Sequence, residues 1–334
     1  MAQGARESGR KAESDGGSDA HVQATGNAES DVLAELIDTL RLERIEENLF
    51  RGASQELGWG RVFGGQVLGQ ALSAARQTVP DDREAHSLHA YFLRPGATDK
   101  PVVYTVDPIR DGRSFTTRRV VAVQGGKAIL NLAASFQIDE PGFDHADPMP
   151  EVPPPDDLFN EQQLGQRYLS RLPEAVLARI PSGLRDRATA TKPIEIRPLD
   201  PLDPVSPPVR DAHRQVWLRA NRALPDQPSL HRTLLAYASD FHLLTTALQP
   251  HGASWLTPGV QVASLDHAMW FHRPFRMDDW LLYDVSSPSA SGARGLVSGR
   301  FFDRSGALVA SVMQEGLIRD RRTPRVDSGH QASE

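Results

Sequence analysis

Two stretches of sequence decide the fold, because they resemble each other: His89-Ala-Tyr-Phe-Leu-Arg-Pro95 and His267-Ala-Met-Trp-Phe-His-Arg-Pro274. Their Arg-Pro pairs lie 179 residues apart, and the same offset separates Tyr104 from Tyr283. Further along, Gln137 follows an Ala-Ser pair much as Gln314 does, so Gln137 is the predicted first-copy counterpart of Gln314. Matches that stay in register over about 50 residues indicate two copies of one domain rather than a short solenoid repeat.

Each copy carries the same order of predicted elements, a helix and then four strands. The first copy is predicted to contain a helix over Phe63–Thr78 and strands over Ser87–Leu93, Val102–Ile109, Ser114–Gln124 and Lys127–Gln137. The second is predicted to contain a helix over Leu230–Leu248 and strands over Gln261–Trp270, Trp280–Val285, Ala293–Phe302 and Ala307–Ile318. A helix followed by an antiparallel meander predicts an α+β fold, in which each sheet wraps around a single helix.

Prolines divide the chain. Fourteen of the 25 prolines fall between Pro141 and Pro208, where the missing amide donors disfavour a central sheet and long helices. We therefore predict an N-terminal domain over 31–140, a proline-rich connection over 141–210 and a C-terminal domain over 211–320. Both ends, residues 1–30 and 321–334, are polar and predicted to be disordered. Neither has the pattern of a signal peptide, a transit peptide or a peroxisomal signal, which predicts a cytoplasmic protein.

Composition excludes several function classes. The absence of cysteine rules out thiol nucleophiles, disulfides and Cys-ligated zinc. With 37 basic and 43 acidic residues, the net charge of −6 favours neither nucleic acid nor an anionic membrane as a partner. The most apolar stretch, residues 120–138, is broken by Gly125-Gly126 and predicts a hairpin rather than a membrane-inserted helix.

Common catalytic motifs are absent as well. There is no Gly-x-Ser-x-Gly nucleophile elbow, no Walker loop and no complete dinucleotide-binding glycine pattern. His86 and His89 are three residues apart on a predicted strand, so they are expected on opposite faces as structural residues and not as metal ligands. We expect neither a metal nor a cofactor.

One acidic residue, Asp240, falls within the predicted apolar helix Leu230–Leu248. A carboxylate on a helix enclosed by its own sheet is costly to desolvate unless it is hydrogen-bonded or functional. The corresponding first-copy segment, residues 57–80, contains no acidic residue. If the carboxylate only held the fold together, both copies would be expected to need one. The asymmetry therefore favours one active site per chain, although an exposed or capping aspartate is the ordinary alternative.

Six motifs together resemble the acyl-CoA thioesterase II family. They are Phe50-Arg-Gly52, Val62-Phe-Gly-Gly-Gln66, His86-Ser-Leu-His-Ala-Tyr-Phe-Leu-Arg-Pro-Gly96, Arg110-Asp-Gly-Arg-Ser-Phe115, Asp266-His-Ala-Met-Trp-Phe-His-Arg-Pro-Phe275 and Val312-Met-Gln-Glu-Gly316. The resemblance covers residues 40–320 and implies a double hotdog fold. It also implies hydrolysis of acyl-CoA to fatty acid and CoA, a role in lipid metabolism, and a homo-oligomer, either a dimer or a tetramer.

The resemblance further implies that Asp240, Ser264 and Gln314 hold and activate a water molecule. Asp240 would act as the general base, whereas Ser264 and Gln314 would only orient the water by hydrogen bonds. The family more often has threonine at position 264, and serine keeps the hydroxyl without the methyl group that restricts χ1. Gly64, Gly65 and Gln66 are candidate substrate-binding residues, because backbone amides at a helix start can stabilise an oxyanion.

Two other functions remain open from the sequence. An enoyl-CoA hydratase or dehydratase on the same fold would need an aspartate and a histidine in one site. His242 follows Asp240 by two residues, about 200° around a helix, which places it away from the carboxylate. The second alternative is a non-catalytic acyl-CoA-binding protein, and the retention of Asp240 and Gln314 argues against it.

Overall fold

The computed structural model describes residues 31–58, 60–178, 180 and 182–322. The predicted disordered tails, 1–30 and all but the first two residues of 321–334, lie outside these ranges. The described residues from Val32 to Arg322 belong to one compact unit. No helix in the described part of the chain is long and apolar enough to cross a membrane.

The described residues of the first half form two helices and six strands: α1 (Val32–Leu40), β1 (Glu43–Glu46), β2 (Leu49–Gly52), α2 (Gly64–Arg76), β3 (Arg83–Phe92), β4 (Val102–Asp111), β5 (Phe115–Gln124) and β6 (Lys127–Ile138). Every pairing among these strands is antiparallel. Gly125 and Gly126 both have positive φ and form the tight β5–β6 turn. The predicted hairpin between residues 120 and 138 is therefore confirmed.

The second half repeats this pattern after three additional helices: α3 (Glu161–Ser170), α4 (Glu174–Leu177), α5 (Ser182–Thr189), β7 (Ile194–Pro198), β8 (His213–Ala220), α6 (Pro228–Ala238), β9 (Val260–Ser264), β10 (Asp266–Phe271), β11 (Leu281–Ser291), β12 (Arg294–Asp303) and β13 (Leu308–Asp320). Short 3₁₀ helices span Pro155–Asp157 and Leu244–His251. β7 belongs to the sheet although it lies within the predicted connection 141–210. The domain boundaries at 31–140, 141–210 and 211–320 stay predictions.

The thirteen strands found among the described residues form one sheet with a symmetric order. The path runs β1-β2-β4-β5-β6-β3-β10-β13-β12-β11-β8-β7, and β9 pairs with β13 outside it. β3 and β10 pair antiparallel at the centre, with Leu88 opposite Met269. Because each half contributes six strands in the equivalent order on its side of this pair, the sheet is consistent with the predicted duplication.

Helices α2 and α6 pack against each other in opposite directions. A Cβ atom at Gly65 would collide with the carbonyl oxygen of Tyr237, and one at Gly69 would lie 3.3 Å from the carbonyl oxygen of Thr233. Small residues at these two positions let the helix backbones approach closely. The start of α2 consequently meets the end of α6, and this junction positions the site described below.

The second predicted helix, Leu230–Leu248, is wrong in its extent. The α-helix ends at Ala238, and His242 has a left-handed φ of 61°. A 3₁₀ helix then begins at Leu244 and also buries apolar side chains, so the hydrophobic periodicity continues across the break. Asp240 therefore follows the helix instead of lying inside it. The predicted strand Gln261–Trp270 is likewise two strands, β9 and β10, interrupted at Leu265.

The prediction that His86 and His89 lie on opposite faces of β3 is also wrong. The pairing of β3 with β6 is irregular between Ala85 and Ser87, and this bulge shifts the alternation of side chains. Nε2 of His86 lies 2.8 Å from the hydroxyl of Ser135, and the His89 ring contacts Trp270 edge to face. Both histidines therefore occupy the outer face of the sheet.

Candidate active site

The candidate site is centred on the carboxylate of Asp240, where the end of α6 meets the start of α2. The backbone N–H of Gly65 donates a hydrogen bond of 3.0 Å to Oδ2 of Asp240. The first amides of a helix have no partner within the helix, and the positive end of the helix dipole favours a negative charge there. The start of α2 thus stabilises the ionised form of a partly buried acid.

The two glycines at this helix start are required by space. A Cβ atom at Gly64 would lie 2.6 Å from Oδ2 of Asp240 and 3.2 Å from the ring of Phe92. At Gly65, a Cβ atom would also approach the ring of Phe63 to 2.5 Å. These contacts explain why the chain has two consecutive glycines at this point: any side chain would displace the carboxylate or separate the helices.

Two further polar side chains reach Asp240 from the sheet. Nε2 of Gln314, on β13, donates a hydrogen bond of 2.9 Å to Oδ1 of Asp240. Ser264, at the end of β9, faces the same carboxylate and lowers the pKa of Asp240. Ser264 lies opposite Gly316 in the β9–β13 pairing, two residues beyond Gln314. The structure thus brings together the three residues predicted to hold the water.

The electrostatic environment of Asp240 combines opposing effects. Burial raises the pKa of Asp240 above its ordinary value, whereas the hydrogen bonds from Gln314, Gly65 and Ser264 lower it, and burial is the largest effect. A carboxylate with a raised pKa is a stronger base than an exposed aspartate. The three donors nevertheless keep it in a fixed orientation.

Gln66, predicted together with the glycines to bind substrate, does not face the site with its side chain. Its Nε2 donates to the carbonyl oxygen of Ala53 at 2.9 Å, and its Oε1 accepts from the N–H of Gln55 at 3.2 Å. The backbone N–H of Gln66 donates to the Phe63 carbonyl. This residue is 1% exposed and holds the 53–55 loop against α2. Within the described residues, the N–H of Gly64 has no acceptor and is the free donor at this helix start.

A histidine that the sequence did not single out, His267, belongs to the site. It lies on β10, is 1% exposed, and its Nδ1 is 3.2 Å from Nε2 of Gln314. The alternation of side chains along β10 could have indicated it, because the other inward positions of this strand are occupied by the apolar residues Met269 and Phe271. His242, by contrast, contacts Glu161 at 2.9 Å and Arg214 at 3.0 Å. It lies outside α6, so the predicted 200° helical separation from Asp240 does not apply.

The expected correspondence between Gln137 and Gln314 is wrong. Gln314 is fully buried, whereas Gln137 lies on the opposite face of its strand and donates to Glu140 at 3.1 Å. Strand register gives the true counterpart. Leu130 pairs with Phe92 as Ala310 pairs with Phe271, so four residues further along, Ala134 occupies the place of Gln314.

Two helices packed side by side in opposite directions, each covered by half of one antiparallel sheet, define a double hotdog protein. Within the described residues, the acidic site lies where the end of α6 meets the start of α2. A protein of 19% identity from Alicyclobacillus acidocaldarius, described as having a hot dog fold, superimposes with a TM-score of 0.66 over 87% of this chain and 99% of its own. At that identity the likeness shows the fold alone. The predicted double hotdog is confirmed.

Comparisons with known sequences give the family. Residues 54–137 match the family described as "Acyl-CoA thioesterase N-terminal domain", and residues 201–317 match "Acyl-CoA thioesterase". Acyl-CoA thioesterase 2 of Haemophilus influenzae is 43% identical over 87% of this chain and 99% of its own length. Human acyl-coenzyme A thioesterase 8 is 43% identical over 88% of this chain and 92% of its own. The crystal structure of an acyl-CoA thioesterase II from Mycobacterium marinum, 42% identical, superimposes with a TM-score of 0.67 over 85% of this chain and 98% of its own.

The chain therefore belongs to the acyl-CoA thioesterase family. It is a thioester hydrolase that converts acyl-CoA to a free fatty acid and CoA, as the resemblance of its motifs implied.

Proposed function

We propose that Asp240 is the general base of this hydrolysis and that Ser264 and Gln314 orient the attacking water. The carboxylate accepts a proton from water as the water oxygen attacks the thioester carbonyl carbon. The tetrahedral intermediate then collapses, the C–S bond breaks, and the CoA thiol leaves with a proton. Because a thioester carbonyl is strongly electrophilic, a positioned water and a base are sufficient without a covalent intermediate.

The observation that carries this proposal is the convergence of a helix amide, an amide side chain and a hydroxyl on one carboxylate. Such an arrangement fixes the orientation of Asp240 and leaves Oε1 of Gln314 without a donor among the described residues, although the side chain is fully buried. A buried acceptor without a partner is energetically costly, and a bound water would satisfy it. Asp240 and Gln314 would then accept both protons of that water.

We propose the backbone N–H of Gly64 as the donor to the oxyanion. It lies at the start of α2, next to the N–H that binds Asp240, and the helix dipole favours negative charge at this end. Gly65 N–H is already used by the carboxylate, and Gln66 N–H by the Phe63 carbonyl. The acyl chain would lie against the aromatic side chains at this junction, where Phe63 stacks on Phe241 at 4.7 Å.

Asp240→Asn tests the proposed base. Asparagine cannot accept a proton, and its NH₂ group would face donors that now point at a carboxylate. We expect kcat to fall by about 10²–10⁴-fold with little change in KM. The assay follows thiol release from acyl-CoA with an aromatic disulfide reagent.

Asp266→Asn is the matched control, because Asp266 is a nearby carboxylate on the outer face that accepts a hydrogen bond from the N–H of Glu315. It should retain parental turnover. Activity of Asp240→Asn within a few-fold of the parent would remove this residue from the mechanism.

We further propose that the protein is cytoplasmic and forms a homo-oligomer, a dimer or a tetramer. Exposed apolar side chains on the outer face of the two central strands and their neighbour, including Tyr91 and Met313, support association. Analytical ultracentrifugation of the purified chain tests the oligomer, and immunodetection in fractionated cells tests the location. A monomer at micromolar concentration would contradict the first proposal, and recovery with an organelle would contradict the second.

A further inference from the structure

The amide nitrogen of Gln314 lies close to two hydrogen-bond acceptors. Its Nε2 lies 2.9 Å from Oδ1 of Asp240 and 3.2 Å from Nδ1 of His267. An amide NH₂ group has two hydrogens, so it can donate to both. The amide oxygen then has to point away from Asp240 and His267. Which way an amide points is decided by its neighbours, and here His267 is one of them.

His267 is itself oriented by a serine. Its Nε2 lies 3.0 Å from the hydroxyl oxygen of Ser239, and that hydroxyl donates to the carbonyl oxygen of Ala236 at 2.9 Å. A hydroxyl has one hydrogen, so Ser239 must accept from His267, whose Nε2 therefore carries the proton. Burial lowers the pKa of His267 to about 3, so the ring stays neutral at working pH and its Nδ1 is an acceptor.

We infer that Ser239 and His267 are positioning residues that hold the amide of Gln314 with its NH₂ group on Asp240 and its oxygen toward the reacting water. The donors follow one direction: Ser239 to Ala236, His267 to Ser239, and Gln314 to both His267 and Asp240. This inference rests on the proposed roles of Asp240 and Gln314. It extends the site to two side chains that are both essentially buried and placed behind the reacting groups.

The opposite arrangement shows what the chain of bonds prevents. If the Gln314 amide were turned over, its oxygen would face Asp240 and His267, and both would have to donate to it. Asp240 would then need to be protonated, and His267 would need its proton on Nδ1. Ser239 would have to leave the Ala236 carbonyl and donate to Nε2. The hydrogen bond from Ser239 to Ala236 therefore favours the ionised, catalytically competent form of Asp240.

Few other titratable groups face Asp240. From β10 this is the neutral His267, and from β11 it is Tyr283, whose hydroxyl donates to the carbonyl of Ser239 at 2.8 Å. Ser239 itself follows α6 and does not titrate. Burial and the Asp240 charge raise the pKa of Tyr283 far above working pH. Asp266 and Glu315, on β10 and β13, lie on the outer face. The start of α2 contributes only backbone amides and the glycines.

Ser239→Ala removes the first bond of this chain with little change in volume. The His267 ring is then free to carry its proton on either nitrogen, and the Gln314 amide loses its fixed direction. We expect kcat at neutral pH to fall by about 3- to 10-fold, the loss of one ordinary hydrogen bond. The acid limb of the kcat/KM profile should move to higher pH, so that activity approaches the parental value in alkaline buffer.

Two substitutions at His267 separate positioning from packing. His267→Leu uses the residue that occupies the equivalent first-half place, Leu88, and should lower kcat by about 10- to 100-fold because two hydrogen bonds are lost. His267→Asn places an amide oxygen where Nδ1 lies and should recover part of this loss. Tyr104→Phe is the control: it breaks a buried hydrogen bond of 2.6 Å to Gln70 in the other half and should leave the pH profile unchanged.

A direct titration keeps this inference separate from the proposed mechanism. With ¹³C-carboxyl-labelled aspartate, the Asp240 signal is the one that Asp240→Asn removes, and its pKa can be followed without turnover. The expected result is a higher pKa of Asp240 in Ser239→Ala and in His267→Leu than in the parent and in Tyr104→Phe. An unchanged titration, with activity lost only in proportion to unfolded protein, would overturn the inference. A shifted titration with a fully active Asp240→Asn would instead overturn the proposed base.

Discussion

The two halves of the sheet have the same framework and different interiors. At the centre of the second half, His267 and Gln314 lie on adjacent strands, and both side chains point inward and are buried. At the equivalent place in the first half, Leu88 lies opposite Ala134, and both are buried apolar residues. Leucine and alanine satisfy a core by packing alone, whereas histidine and glutamine require hydrogen-bond partners. The first half therefore fills with apolar packing the place where the second half has the polar groups of the proposed site.

The paired tyrosines show how this difference arises. Tyr104 and Tyr283, 179 residues apart, are both fully buried. The hydroxyl of Tyr104 donates to the side chain of Gln70 within α2, at 2.6 Å. The hydroxyl of Tyr283 donates to the main-chain carbonyl of Ser239, at 2.8 Å, just past the end of α6.

The end of α6 thus gives the second half its site. Because α6 stops at Ala238, the Ser239 carbonyl is free to accept from Tyr283. The chain then turns and places Asp240 at the start of α2. At the other end of the helix pair, α6 begins with Pro228, which has no N–H to offer. The start of α2 can therefore hold a carboxylate, whereas the start of α6, at the other end of the nearly symmetric helix pair, has one backbone amide fewer.

The sharpest test of this asymmetry compares two glutamines. Gln314→Ala should lower kcat by about 10²-fold, because Asp240 loses a donor and the water loses an acceptor. Gln137→Ala, on the outer face of the first half, should leave kcat unchanged. Steady-state kinetics at equal folded fraction, judged by circular dichroism, gives the comparison. Similar losses in both variants would mean that the halves do not differ as described.

The pH dependence should report the second half alone. Burial raises the pKa of Asp240, and only the ionised form is a base, so kcat/KM should fall about tenfold per pH unit below that pKa. The limb should lie above the ordinary aspartate value of about 3.9. It is measured by initial rates over a pH range in which the protein stays folded. An acid limb at or below the ordinary value would show that hydrogen bonding outweighs burial.

Ser264 should contribute less than Gln314, because its hydroxyl supplies one hydrogen bond and no proton transfer. We expect Ser264→Ala to lower kcat by about 3- to 10-fold. Ser264→Thr should retain activity or raise it slightly, because the added methyl group restricts χ1. Steady-state rates at saturating acyl-CoA decide this. A severe loss in the threonine variant with a fully active alanine variant would assign position 264 to packing.

Ala134→Gln places the glutamine of the second half into the first and should have the smallest effect on turnover. The amide would meet Leu88 instead of a histidine, so its polar atoms would be buried without partners. We expect a loss of about 1–3 kcal/mol in the free energy of unfolding, with kcat of the folded protein unchanged. Denaturant unfolding measures the free energy of unfolding, and the thiol-release assay measures kcat. Unaltered stability would show that this interior accepts polar groups.

Much of the framework can be predicted from the sequence. Strand-forming alternation and paired glycines placed most first-half strands within a few residues of their observed ends, and the 179-residue offset indicated the duplication. The predicted helix through Leu248 failed, because the 3₁₀ helix buries apolar residues with similar spacing. Gln137 was wrongly matched with Gln314 for a related reason. Both glutamines follow an Ala-Ser pair, but the two sequences are shifted relative to the strand pairing, and a shift of one residue reverses the face of a strand.

Asp240 could be predicted as a site residue from the sequence, although the predicted helix end was wrong, because a carboxylate among apolar residues is chemically unusual. Ser264 and Gln314 came from the family resemblance and not from spacing. His267 and Ser239 were identifiable only after folding, because both look like ordinary residues of a strand and a helix end.

Residue type and periodicity are local properties, and they determined the antiparallel strands, the first helix and the presence of two copies. Which end of α2 meets which end of α6, and on which face Gln314 lies, depends on contacts between residues far apart in the chain. Hydrogen bonds such as Gly65 to Asp240 join groups 175 positions apart. Their direction follows from the number of donors and acceptors that the packed structure brings within reach, because a buried polar atom without a partner is energetically costly.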